Sequence, residues 1–190
     1  MKKLESTLPN MFIVLTTIAL ISAAALAFTY GQTKPILDEQ ARERQKQAVA
    51  AVIPEEFDNA PTDEAVSPEE YDGIEIYPAR DGDDLVGTAV RSVSDEGYGG
   101  TITIMVGFTP DGEITGTTVL SHTETPGLGE KMTEESFREQ FNGLSVGDGI
   151  AVTKDGGDID AITAATITSR AFCDAINRAW EAVEAAGDQL

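Results

Sequence analysis

The sequence predicts an α+β architecture: one N-terminal apolar helix, then a single domain in which an antiparallel sheet packs against helices. Three observations predict it. Residues 8–30 are mostly apolar and carry no charge, residues 73–120 alternate apolar and polar side chains in short runs broken by turn residues, and residues 172–183 repeat apolar side chains at helical spacing. A chain of 190 residues holds one ordinary domain plus an accessory segment.

The first element is the apolar run. No charged residue occurs from 6 to 33, and Met11, Phe12, Ile13, Val14, Leu15, Ile18, Leu20, Ile21, Leu26 and Phe28 fill its centre. At a rise of about 1.5 Å per residue it crosses a hydrocarbon core of about 30 Å, so 8–30 reads as a transmembrane helix embedded in lipid. The short tail, 1–7, is expected on the cytoplasmic side. A cleavable signal peptide is the competing reading, because Lys2 and Lys3 precede an apolar segment containing Ala25-Leu26-Ala27. The uncharged stretch outruns a signal peptide's apolar core, and Pro9-Asn10 stands where that core would begin, which favours a retained anchor. Charge alone does not orient the helix, since Lys2 and Lys3 compete with Lys34, Arg42, Arg44 and Lys46 on the other flank.

Residues 31–70 read as a juxtamembrane helix and an acidic connection. Ile36, Leu37, Gln40, Arg44, Ala48 and Val52 lie in helix-forming composition that stops at Pro54, and Glu55 to Glu70, with Pro61 and Pro68, shows little apolar periodicity. The domain is expected to span 71–190. Its strands are predicted at Gly73–Tyr77, Leu85–Val93 and Thr101–Phe108, where Ile102, Ile104, Val106 and Phe108 share a face. Pro110-Asp111-Gly112 forms a turn and Ile114–Leu120 returns as the partner strand. A tight loop follows at Thr125-Pro126-Gly127-Leu128-Gly129, then a short helix over Thr133–Phe141 and a further strand at Gly149–Thr153. The last helix carries a core-facing stripe of Phe172, Ile176, Ala179, Trp180 and Val183.

Composition narrows the function. The chain has 33 acidic against 13 basic residues and a formal charge of −20, which repels phosphate backbones and excludes nucleic acid as a partner. His122 is the single histidine, so a histidine metal cluster is impossible, and no strand-elbow motif supports a Ser-His-acid hydrolase. Asp155, Asp158 and Asp160 lack the spacing of a calcium loop, so no metal site is expected. Cys173, the one cysteine, is expected to be a small buried residue.

The richest stretch is Asp160-Ala161-Ile162-Thr163-Ala164-Ala165-Thr166-Ile167-Thr168-Ser169. It is read as the first turn of the last helix, where N–H groups without intrahelical acceptors and the positive end of the macrodipole attract an anion. Its hydroxyls also allow a phosphate to be esterified. Helix caps alone account for many such strings, and it is the second motif, Glu124 to Gly129, that favours a ligand.

Together the two segments resemble the FMN-binding domain of the RnfG/NqrC family of membrane-bound electron-transport subunits, and Tyr98-Gly99-Gly100 resembles it too. The resemblance covers most of the chain, and the short connection between anchor and domain is more like the RnfG branch than the longer NqrC. It implies FMN held covalently by a phosphoester on the threonine that closes a Ser/Thr-Gly-Ala-Thr motif, here Thr166 in Thr163-Ala164-Ala165-Thr166. It implies a flavin transferase that uses FAD during maturation. Other membrane subunits would be partners, in a complex coupling ferredoxin:NAD+ electron transfer to Na+ or H+ movement. It further implies a single pass through the inner (cytoplasmic) membrane with the soluble domain on the periplasmic or external side. Ala164 departs from the pattern's glycine; alanine is the better helix former, so the fold is expected to be undisturbed.

On this reading Thr163, Thr168, Ser169 and backbone N–H groups from Ala164, Ala165 and Ile167 contact the phosphate. Glu124 orients the loop, Thr125 is counted among the cofactor-binding residues, Leu128 lies against the flavin ring, and Gly127 and Gly129 permit close approach. Lys131 is placed to neutralise charge on reduced flavin and Tyr98 to approach from the sheet edge. No residue is assigned a catalytic role. The rivals are an anchored acidic binding domain without a redox group and a stand-alone flavin-dependent reductase.

Overall fold

The computed structural model describes residues 7–147, 149–187 and 190. The chain divides after Arg44 into two compact units. Helix α1 (Leu8–Val52) runs without interruption past Pro35, so the anchor and the juxtamembrane helix are one element. Its most apolar window has a mean hydropathy of 2.4 and buries no residue. Thr17, Thr29 and Thr33 each donate their hydroxyl to the carbonyl four residues back, at 2.8, 2.9 and 2.9 Å. That bond removes a polar group from the helix surface, as a lipid-facing helix requires.

The second unit begins at Gln45, before the expected start at Tyr71. The last turns of α1 are why: Ala48, Val49, Val52 and Ile53 are buried in one cluster with Tyr77, Ala79, Ala89 and Met105. Composition hid this, because the cluster uses four apolar side chains inside a polar helix followed by an acidic run.

Four antiparallel strands form a meander in the order β1 (Glu75–Asp81), β2 (Asp84–Ser94), β3 (Ile102–Phe108), β4 (Ile114–Ser121). Val90 faces Val106 across β2 and β3, and Ile104 faces Val119 across β3 and β4. Alternation assigns Ile102, Ile104, Val106 and Phe108 to the main core, as expected, together with Ile76 and Val90, while Met105 and Tyr77 point to the end of α1. Every residue of β3 is therefore buried. Gly107 lets α1 and the sheet touch: a Cβ there would lie 2.1 Å from the Val52 carbonyl oxygen. Thr115 donates its hydroxyl to the same carbonyl. Tyr77 is bonded to both Gln45 and Glu75, and burial with Glu75 beside it pushes its phenol above the ordinary tyrosine range.

The expected helix over Thr133–Phe141 is three short turns. A 3-10 turn at Gly129–Thr133 leads to α2 (Glu135–Arg138) and a second 3-10 turn at Glu139–Phe141. Phe137 and Phe141 still share a buried face, packing with Phe172 at centroid distances of 5.0–5.4 Å.

No strand forms at Gly149–Thr153; the segment makes one parallel bridge, Val152 to Ile159. A side chain replaces the missing neighbour, since Asn177 accepts the Ile150 N–H at 2.7 Å and donates to the Ile150 carbonyl at 2.9 Å. Its amide mimics a peptide unit.

Helix α3 (Thr166–Ala186) lies across the sheet, with buried Ala171, Ala175, Ala179 and Ala182 allowing close approach. Phe172 and Ile176 fill the space between, and Trp180 meets Phe108 at 5.3 Å. Cys173 is buried, as expected, and desolvation pushes its thiol up to about 12. The helix starts at Thr166, later than the sequence pattern suggested. Asp160 and Thr163 thus lie before the helix and outside its first turn.

Candidate functional site

The start of α3 is set by Ala164, the one described non-glycine residue at positive φ, at 65°. The turn that imposes this angle is fixed by Ser169, whose Oγ accepts the Ile162 N–H at 2.9 Å and donates to the Ala165 carbonyl at 3.1 Å. A left-handed alanine costs about 1–2 kcal/mol where glycine costs nothing of the kind. The expectation that alanine leaves the fold undisturbed is therefore corrected: it assumed a helical position, and the position is a left-handed turn.

Three segments converge on the first turn of α3. Glu124 joins them: it is 6% exposed, its Oε1 accepts the Gly99 N–H at 3.0 Å and its Oε2 accepts the Thr168 hydroxyl at 2.8 Å. Thr123 adds a bond to the Gly99 carbonyl at 2.7 Å, and the Glu124 N–H is received by Nδ1 of His122 at 3.2 Å. Gly129 passes so close that a Cβ there would sit 2.4 Å from Oε2 of Glu124 and 2.7 Å from Oγ1 of Thr168. The Thr125–Glu130 turn closes on itself, the N–H groups of Leu128 and Glu130 both reaching the Thr125 carbonyl.

Between these segments opens a cleft of about 560 Å³ lined by Tyr98, Glu124, Thr125, Leu128, Gly129, Ala164, Ala165, Thr166, Ile167 and Thr168. Its floor is polar, with Glu124 and Thr168. Its rim is apolar, with Tyr98, Leu128 and Ile167 at 72%, 42% and 49% exposure. Such a size and mixture suit a small-molecule site, for which volumes of about 300–1,000 Å³ are usual.

Thr166 occupies the first helical position at the mouth. The preceding cap residue, Ala165, has no side chain able to satisfy the first N–H groups of the helix. The Nζ of Lys154 donates to Thr166 Oγ1 at 3.0 Å. Next to Lys154, Asp155 is held by Arg170 through two bonds of 2.6 and 2.7 Å. The guanidinium keeps the Asp155 carboxyl below its usual range, and the carboxylate in turn raises Arg170.

The residues expected at the site divide. Ten line the cleft, as just given. Ser169 is fully buried behind the turn and acts as its brace. Gly127, at φ 74°, shapes the outside of its loop. Thr163 and Lys131 come together with Asp160 in a neighbouring depression of about 270 Å³, around the edge from the cleft. Lys154 was not anticipated. The available signal was its isolation, since it is the single basic residue between Arg138 and Arg170.

Residues 97–181, which contain the whole cleft, match the family described as FMN-binding domain. The G-type component of the ion-translocating oxidoreductase complex of Erwinia tasmaniensis is 36% identical over 190 residues, covering 94% of this chain and 90% of that one. The chain belongs to the RnfG family. The corresponding component from Methanosarcina acetivorans is 36% identical over 180 residues, or 93% of this chain and 94% of that one. Among solved structures, the C-type component of the Na(+)-translocating NADH-quinone reductase of Parabacteroides distasonis aligns with a TM-score of 0.58 at 14% identity, over 77% of this chain and 92% of that chain. That likeness shows the fold. The resemblance read from Glu124–Gly129 and Thr163–Thr166 is to this family, and it makes the chain a membrane-anchored flavoprotein component of an ion-translocating oxidoreductase complex.

Proposed function

We propose that the chain carries FMN as a phosphoester on Thr166 and passes electrons between neighbouring subunits of an Rnf-type complex. In that reading the complex couples ferredoxin:NAD+ electron transfer to Na+ or H+ movement, α1 sits in the lipid of the inner membrane, and the domain faces the periplasm or exterior. The observation that carries it is the position of Thr166 Oγ1: at the first helical residue, at the mouth of the cleft, 3.0 Å from an ammonium group.

The residues present suit FMN. A phosphate meets the uncapped N–H groups at the start of α3 and the Lys154 cation. The planar flavin ring would find apolar surface in Leu128, Ile167 and Tyr98, whose side chains stand at the open rim. Bound FMN would supply reversible electron storage, which the side chains lining the cleft do not offer by themselves.

Attachment requires that Thr166 Oγ1 form a bond to the flavin-side phosphorus of FAD while the pyrophosphate bond breaks, the hydroxyl proton is lost and AMP leaves. A separate transferase supplies the base and metal for this step. The chain's own part is to present the hydroxyl, and the Ser169 brace and the Lys154 contact do that. Thr168 is engaged by Glu124 and buried, so it does not compete as an acceptor. Thr163 is exposed but lies in the neighbouring depression.

Co-expression of the full chain with a flavin transferase, followed by a denaturing gel viewed under ultraviolet light, tests the reading. A fluorescent band that moves with the protein is expected. A dark band in the presence of active transferase contradicts it.

A further inference from the structure

Lys154 and Asp155 run alongside the first two turns of α3. Thr166 and Arg170 are four residues apart and so share one face of that helix, and each meets one of the two loop residues: Lys154 donates to Thr166, and Asp155 receives Arg170. The loop that carries them is pinned independently. The Ile159 carbonyl accepts the Thr153 N–H at 2.8 Å, the Gly157 N–H reaches the Val152 carbonyl at 3.1 Å, and Gly156 ends the turn at φ 92°.

The arrangement solves an electrostatic problem. A lysine beside an aspartate in a strongly acidic domain is ordinarily drawn to the carboxylate. Here both Asp155 oxygens accept from the Arg170 fork, and the ammonium, though near enough to attract that carboxylate, makes its hydrogen bond to a hydroxyl. An ammonium that donates to a threonine oxygen gains little from it in water, since the oxygen is neutral. It gains much more once that oxygen carries a phosphate, because a charge-assisted bond replaces a neutral one. The domain as a whole carries a large negative charge that opposes an approaching pyrophosphate, so a local cation at the reacting oxygen matters most.

We propose that Lys154 is the phosphate-holding residue of the Thr166 site, with the Asp155–Arg170 pair keeping it aimed. Before attachment it positions Oγ1 and attracts the pyrophosphate of the flavin donor; afterwards it pairs with the single negative charge of the phosphodiester. This rests on Thr166 as the attachment point.

The test is the rate of FMN incorporation into the full-length chain, followed by intact mass with purified transferase, FAD and Mg²⁺, at several salt concentrations. Wild type, Lys154→Ala, Lys154→Met, Lys154→Arg and Thr166→Ala are compared, with a thermal melt of each. Lys154→Ala and Lys154→Met are expected to load about tenfold more slowly, a change one charge-assisted hydrogen bond supports. Lys154→Arg should recover most of the rate, and the salt dependence of wild type should flatten in the Ala and Met variants. Melting temperatures should match. Wild-type rates in both uncharged variants overturn the proposal, and so does a loss that arginine does not rescue or that salt does not modulate. Absence of adduct on wild type, or an adduct that survives Thr166→Ala, refutes the attachment reading itself and takes the Lys154 role with it.

Discussion

The two sides of the cleft hold their polar groups in opposite ways. Glu124 is buried, and each of its oxygens receives a donor from a different segment. Lys154 is exposed and touches a single hydroxyl across a twelve-residue separation. A buried carboxylate with two partners is expensive to disturb, because removing it strands donors away from water. An exposed ammonium can lose its contact at little cost to the fold, which leaves it available to a ligand. Stability is therefore concentrated on the Glu124 side, and the proposed chemistry lies on the more exposed Thr166 side.

The sharpest way to break that comparison is Glu124→Ala. Stranding the Gly99 N–H and the Thr168 hydroxyl should destabilise the domain by about 2–3 kcal/mol, measured by chemical denaturation of the full chain. An unchanged midpoint would mean that the acid is not what joins the three segments. Gly129→Ala should follow closely: its Cβ would press on the Glu124 carboxylate and the Thr168 hydroxyl, which points to about 1–3 kcal/mol of overpacking. A smaller effect of the opposite sign is expected for Ala164→Gly. Relief of the left-handed alanine outweighs the added chain entropy, for a net gain of about 0.5–1 kcal/mol, readable as a raised melting temperature.

The smallest effect belongs to the exposed pair. Arg170 depresses the Asp155 carboxyl, so the pair's contribution is complete above the ordinary carboxylate range and is lost as pH falls through the depressed folded value. The melting temperatures of wild type and Asp155→Asn should differ slightly and constantly across about pH 5–8, then converge in strong acid. A difference that grows toward alkaline pH would contradict this assignment.

How much of this the sequence displayed depended on how local each signal was. The meander was legible because Ile102, Ile104, Val106 and Phe108 alternate within one strand, and the helix stripe because Phe172, Ile176 and Ala179 repeat within one helix. The Glu124–Gly129 and Thr163–Thr166 strings stand out for the same local reason, and the structure brings residues of both to one cleft. Ala164 was misread because the hydroxyl-rich run looks like a helix start, while the actual start depends on a brace from Ser169, seven residues beyond Ile162. Lys154 was invisible because its partner is reached only when a pinned loop lies along α3. The strand expected at Gly149–Thr153 failed because Asn177, on a distant helix, supplies the hydrogen bonds a neighbouring strand normally gives.

The proposed function turns on one oxygen atom, Oγ1 of Thr166. Intact mass of the full-length protein, wild type and Thr166→Ala, each produced with active flavin transferase, addresses it directly. Wild type should carry the added mass of one FMN phosphoester, and Thr166→Ala should weigh the same as its bare polypeptide. An unmodified wild type, or a variant that still carries the added mass, would contradict it.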